Sequence, residues 1–120
     1  MKKDIENFED IQQMVNSFYD KIRKDAVLGK IFDDRIQDKW AEHLEKMYRF
    51  WQTILTSEIT YTGQPFTPHT SMPIDKTHFD QWKAIFVENI DSQFEGKVAE
   101  EAKTRAISIA NVFQFKIESL

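Results

Sequence analysis

An all-α fold is predicted by three observations. Apolar residues recur along most of the chain at steps of three and four, the spacing that lines up one face of a helix. Only three glycines and three prolines interrupt 120 residues, and the prolines all fall within one short stretch. The hydrophobic share of 41% and the mixing of both charge signs complete the profile of a folded helical protein. At this length the chain is the size of one ordinary domain, so residues 1–120 are expected to share a single core.

The first helix is predicted from residue 7 to about residue 24, with Phe8, Ile11, Val15, Phe18 and Ile22 on one stripe. Asn7 is the residue type that caps such a start, with Asp10 three positions on. Tyr19 lies at the edge of the stripe, where its ring can be buried while its hydroxyl needs a polar partner. Leu28, Ile31 and Phe32 form a short apolar knot, and Gly29 inside it suggests a helix end or a tight corner.

Ile36, Trp40, His43, Leu44, Met47, Phe50, Trp51, Ile54 and Leu55 form a second stripe, broad enough to face a core on two sides. Periodicity stops between Glu58 and Pro73, where YTGQPFTPHTSMP holds all three prolines. A loop of that length in a small domain usually has a function or is mobile. A further helix is predicted to begin near Ile74 or Asp75, carrying Phe79, Trp82, Ile85, Phe86 and Ile90. The last runs from about residue 97 to the C-terminus along Val98, Ala102, Ile109 and Phe113.

Composition excludes several classes of function. The absence of cysteine removes disulfides, thiolate nucleophiles, iron–sulfur clusters and cysteine zinc sites together. A net charge of −4, with lysines scattered among the acids, offers no basic stripe for nucleic acid or an anionic membrane. The opening MKKDIENFED turns acidic before any apolar run, and nothing approaches the roughly 18 apolar residues of a membrane span, so the expected location is the cytoplasm. Phosphate-cradling glycine loops, paired-histidine zinc motifs and serine elbows are also missing.

The chemistry-bearing residues are then few: three histidines, three tryptophans and three tyrosines. From the residues alone, His69 in the Pro/Gly loop reads first as a solvated side chain, although its rigid setting between Pro68 and Thr70 could aim an imidazole nitrogen inward. His43 lies on an apolar helix face and reads first as a hydrogen-bonded core histidine. His78, in the first turn of a helix, is expected at the surface. Met47 and the aromatic stripe fit a plain core or a pocket wall equally well.

Four blocks in order, FYDKIRKDAVLGKIF, WAEHLEKMYRFW, YTGQPFTPHTSMP and HFDQWKAIF, resemble those of a group III truncated haemoglobin, over a span from about residue 18 to residue 86. The glycine-pair signatures of the first and second groups are lacking. The resemblance implies a truncated globin, a two-over-two helical sandwich around haem, and haem b (iron protoporphyrin IX) as cofactor. It places the proximal iron ligand on His69, distal polar groups on Tyr19 and Trp82, the distal histidine on His43 and the ring against the porphyrin on Phe32. Met47, one turn after His43, would line the distal pocket. Lys46 and Arg49 are the cations expected near the propionates.

Three functions remain open at this level. The leading one is binding of dioxygen and other diatomic gases, carbon monoxide and nitric oxide among them, beside polar groups that slow release. The second is redox catalysis on the same cofactor, nitric oxide dioxygenation or a peroxidase-like reaction, which would need a reductase because the chain has no flavin or nicotinamide fingerprint. The third is a helical interaction domain without cofactor.

Overall fold

The computed structural model describes residues 2–56 and 74–118. Helix α1 (Phe8–Lys24) begins as predicted: the Asn7 side chain accepts the Asp10 N–H at 2.9 Å. Glu9 and Asp10 at its start and Lys21, Arg23 and Lys24 at its end oppose the helix dipole. Its apolar face, Ile11, Met14, Val15, Phe18, Tyr19 and Ile22, is buried throughout. Asp10 is buried with it, a tolerable burial because its carboxylate accepts from Lys3 Nζ at 2.6 Å and from the Glu6 N–H at 2.9 Å.

Helix α2 (Leu28–Ile36) corrects one expectation: Ile36 closes this helix instead of opening the next. The apolar knot is helical, with Gly29 in its first turn. Glycine is needed because a Cβ at position 29 would lie 2.5 Å from the Arg23 carbonyl oxygen, so α2 can leave α1 at a sharp corner. Asp25 fastens that corner: Oδ1 accepts the N–H groups of Val27 and Leu28, and Oδ2 accepts from Gln81 Nε2 at 3.0 Å.

Helix α3 (Trp40–Thr56) carries the second apolar stripe, yet of its residues only Trp51 is fully buried. Helix α4 (Lys76–Gln93) is capped by Asp75, which accepts from Thr77 N, while His78 Nδ1 accepts the Asp75 N–H at 2.9 Å in a reciprocal capping box. Helix α5 (Lys97–Glu118) buries Ala99, Ala102, Ala106 and Ala110, small residues at helical spacing that permit close approach of its neighbours.

The cap of α5 comes from the other end of the chain. Lys3 bridges to Phe94, which brings Asp4 to accept the N–H groups of Val98 at 3.0 Å and Ala99 at 2.8 Å. Gly96, at φ +133°, provides the approach, since a Cβ there would sit 2.6 Å from the Asp4 carboxylate.

The helices pair α1 with α3 and α4 with α5, and α1 also packs on α4. That is the two-over-two arrangement implied by the resemblance, and no strand occurs among the described residues. Where α1 meets α4, Asn89 is wholly buried; its Nδ2 donates to the Met14 carbonyl and its Oδ1 accepts from Gln93 Nε2. A satisfied amide inside an apolar interface constrains its register more than it adds to stability.

Candidate functional site

The α3 stripe is incompletely buried because much of it faces a cavity of about 450 Å³. From α1 come Phe18 and Tyr19, and from α2 Leu28, Phe32 and Ile36. Helix α3 supplies His43, Met47, Phe50 and Trp51. Opposite elements add Ile74, Phe79, Trp82, Ile109 and Phe113. Charged residues sit among these apolar walls: Arg35, Lys39, Glu42 and Lys46, all mainly solvent-exposed.

Ring contacts join the walls. Trp82 stacks on Phe86 with centroids 5.5 Å apart, Phe86 stacks on Trp51 at 5.1 Å, and Phe18 meets Trp82 edge-on at 5.2 Å. Tyr19 stands edge-on to Phe32 at 6.1 Å and to His43 at 5.0 Å. Burial pushes the Tyr19 hydroxyl well above the ordinary phenol range, so the group is neutral and carries its proton at any working pH. The Nε2 atom of His43 is also buried. The cavity therefore presents the Tyr19 phenol, the His43 imidazole and the Trp82 indole among largely aromatic and aliphatic walls, with charged residues alongside them.

Six residues singled out in the sequence, Tyr19, Phe32, His43, Lys46, Met47 and Trp82, meet on this one cavity. Arg49 is not among its lining residues: its Nε lies 3.1 Å from the Glu45 carboxylate and its guanidinium covers the Phe8 ring at 4.7 Å. Its position one turn beyond Glu45 favours that i,i+4 pair. His69, with the whole stretch 57–73, lies outside the described residues.

Among the polar lining residues, Arg35, Lys39, Glu42 and His78 escaped the sequence reading as site residues. Arg35 lies one helical turn after Phe32, a spacing that could have revealed it, whereas Lys39 sits between two helices and carries no such signal. His78, expected at the surface, has a side chain only 20% exposed and lines the cavity. The Asp75-x-x-His78 capping box draws its imidazole back over the helix start, and that spacing was legible.

A two-over-two helical fold around an aromatic cavity of this size, with polar donors on its walls and cations at hand, defines a globin-type cofactor pocket. Comparison with known proteins agrees. The family model of the bacterial-like globins matches residues 4–118, and the chain belongs to that family. Within it, the likeness is to group III truncated haemoglobins. The group 3 truncated hemoglobin ctb of Campylobacter jejuni is 34% identical over 118 residues, covering 95% of this chain and 93% of the relative. The crystal structure of the group III truncated hemoglobin from Campylobacter jejuni superposes with a TM-score of 0.88 at 33% identity, over 98% of this chain and 95% of that one.

Globins hold haem, and the residues present suit it. Flat aromatic and aliphatic walls match a macrocycle, lysine and arginine match its two carboxylates, and the volume falls in the range of about 300–1,000 Å³ usual for cofactor sites. The chain is thus a haem-binding globin in its general function.

Proposed function

We propose that the protein holds haem b with His69 as the axial ligand of the iron, and that it binds dioxygen and other diatomic gases beside Tyr19, His43 and Trp82. The observation that carries this reading is the convergence of those three donors, from α1, α3 and α4, on one apolar cavity. When bound, haem supplies an iron with an axial position for a gas molecule.

The chain's own residues do the rest. Tyr19 remains protonated, and among the described residues no acceptor takes its hydroxyl, so the proton is available to a ligand in the cavity. A hydrogen bond from a fixed donor in a low-dielectric site would hold a ligand atom of partial negative charge and slow its departure. Phe32 would pack against the macrocycle, Met47 would line the gas-binding part of the cavity, and Lys46, with Arg35 and Lys39, would pair with the propionates.

The test is a visible spectrum of protein expressed with haem supplied, reduced with dithionite and exposed to carbon monoxide. Stoichiometric haem and a sharp Soret shift are expected, with the shift abolished or greatly weakened in His69→Ala. Purified protein lacking haem would end this reading, and an unchanged spectrum in His69→Ala would end the ligand assignment. Loss of one hydrogen bond is worth about 1 kcal/mol, so Tyr19→Phe should release dioxygen roughly fivefold faster.

A further inference from the structure

Trp40 opens α3 and is not among the residues lining the cavity, yet its ring touches two that are. It meets Tyr19 edge-on at 5.8 Å and His43 edge-on at 5.9 Å, and those two meet each other at 5.0 Å. The interplanar angles are 65°, 87° and 86°, so the three rings close a triangle of edge-to-face contacts. The indole itself is restrained from behind. Its Nε1 donates to Asp33 Oδ1 at 3.0 Å, and the Arg23 guanidinium covers its face at 4.5 Å from the centroid. Arg23 Nε lies 3.5 Å from the same Asp33 oxygen, which joins both restraints.

This assembly ties α1, through Arg23 and Tyr19, to Asp33 of α2 and to Trp40 and His43 of α3. Any bulky apolar side chain could fill the space. Only an oriented ring with a donor edge could be held by Asp33 and Arg23 in one rotation and so present the same edge to both neighbours. We infer that Trp40, anchored by Asp33 and Arg23, is a positioning residue that sets the directions of the Tyr19 hydroxyl and the His43 imidazole toward a ligand in the cavity. The inference rests on the proposed function, in which Tyr19 and His43 face the ligand.

The infrared C–O stretch of the haem-loaded, carbon monoxide-saturated protein tests it, because that band reports the direction and strength of nearby donors and is blind to global stability. Tyr19→Phe is the reference and should shift the band. Trp40→Ala should broaden or split it and speed dioxygen release about fivefold, as expected when a hydrogen bond is no longer held in place. Trp40→Phe, which keeps ring edges but lacks the N–H that Asp33 holds, should leave the band broadened as Asp33→Ala does. Asp33→Ala, at an exposed position and so tolerated even where Trp40→Ala fails to fold, should broaden it in the same sense. A shifted band in Tyr19→Phe together with wild-type bands in Trp40→Ala or Asp33→Ala would overturn the positioning role and leave the proposed function standing. An unmoved band in Tyr19→Phe would overturn the ligand contact of Tyr19, and the role of Trp40 with it.

Discussion

Helices α1 and α3 are both 17 residues long and amphipathic, but they spend their apolar faces differently. Helix α1 buries seven residues against its neighbours; α3 fully buries only Trp51, although Trp40, Leu44, Met47, Phe50, Ile54 and Leu55 lie along it. The difference is one of destination. Most of the α1 stripe meets protein, whose interior is packed almost without voids, and only Phe18 and Tyr19 at its far end reach the cavity. The α3 stripe meets the cavity over His43, Met47, Phe50 and Trp51, so its contacts are to be completed by a bound group. An apolar face that the fold leaves half-covered is what distinguishes a pocket wall from a core.

Truncations should separate the two helices most strongly. Met14 and Ile22 have no exposed surface, so Met14→Ala or Ile22→Ala should cost about 2–5 kcal/mol in denaturant unfolding, with or without haem. Met47→Ala in haem-free protein should cost less than about 1 kcal/mol, because the side chain already borders open space. Equal costs would break the comparison and make α3 an ordinary core helix.

Haem loading should then close the gap from the other side. At free haem a hundredfold above its dissociation constant, linkage gives about 2.7 kcal/mol of stabilisation. Amide hydrogen exchange should locate the larger gain in local protection along α3, with local openings of α1 little changed. A gain spread evenly over both helices would argue against α3 as the chief pocket wall.

The smallest effect belongs to the α5 cap, remote from the cavity residues. Asp4→Ala should cost about 1 kcal/mol, the usual worth of a capping carboxylate, and leave the carbon monoxide spectrum unchanged. Burial tends to raise the Asp4 pKa, but the N–H groups of Val98, Ala99 and Ile5 outweigh it and hold the carboxyl below its ordinary 3.8. Asp25 is lowered too, first by the Leu28 N–H and then, against a desolvation cost, by Gln81 and Val27. Groups depressed in the folded state contribute stability that is complete above about 3.8 and fades as the pH falls through their lower folded values. Acid melting should therefore begin below that pH, and the gap between wild type and Asp4→Ala should shrink there. A gap constant down to pH 2 would show that the carboxylate charge contributes nothing to the cap.

Where one helix turn contains the whole signal, the sequence was readable. Asn7 with Asp10 marked the start of α1, and the spacing of Phe79, Trp82, Phe86 and Ile90 placed α4 within two residues of its observed start. Ile36 was assigned to the wrong helix because its spacing fits both stripes, and only the turn at Gln37, φ 58°, separates them. For the site, six of the eight residues named from the resemblance lie on one cavity, while Arg35 and Lys39 were overlooked. Exposed cations look alike in a sequence, and only the surface they border gives them a role.

Periodicity, capping residues and the scarcity of glycine and proline determined by themselves that the protein is helical, and roughly where each described helix begins, because those signals act between residues within a turn of one another. The tertiary structure alone decided that most of the α1 stripe is core and much of the α3 stripe a cavity wall, that Asp4 caps a helix 94 residues away, and that Trp40 stands behind Tyr19 and His43. Such contacts join residues far apart in the chain. They follow from how whole helices pack and from the free energy of burying one face rather than another, quantities that no local pattern contains.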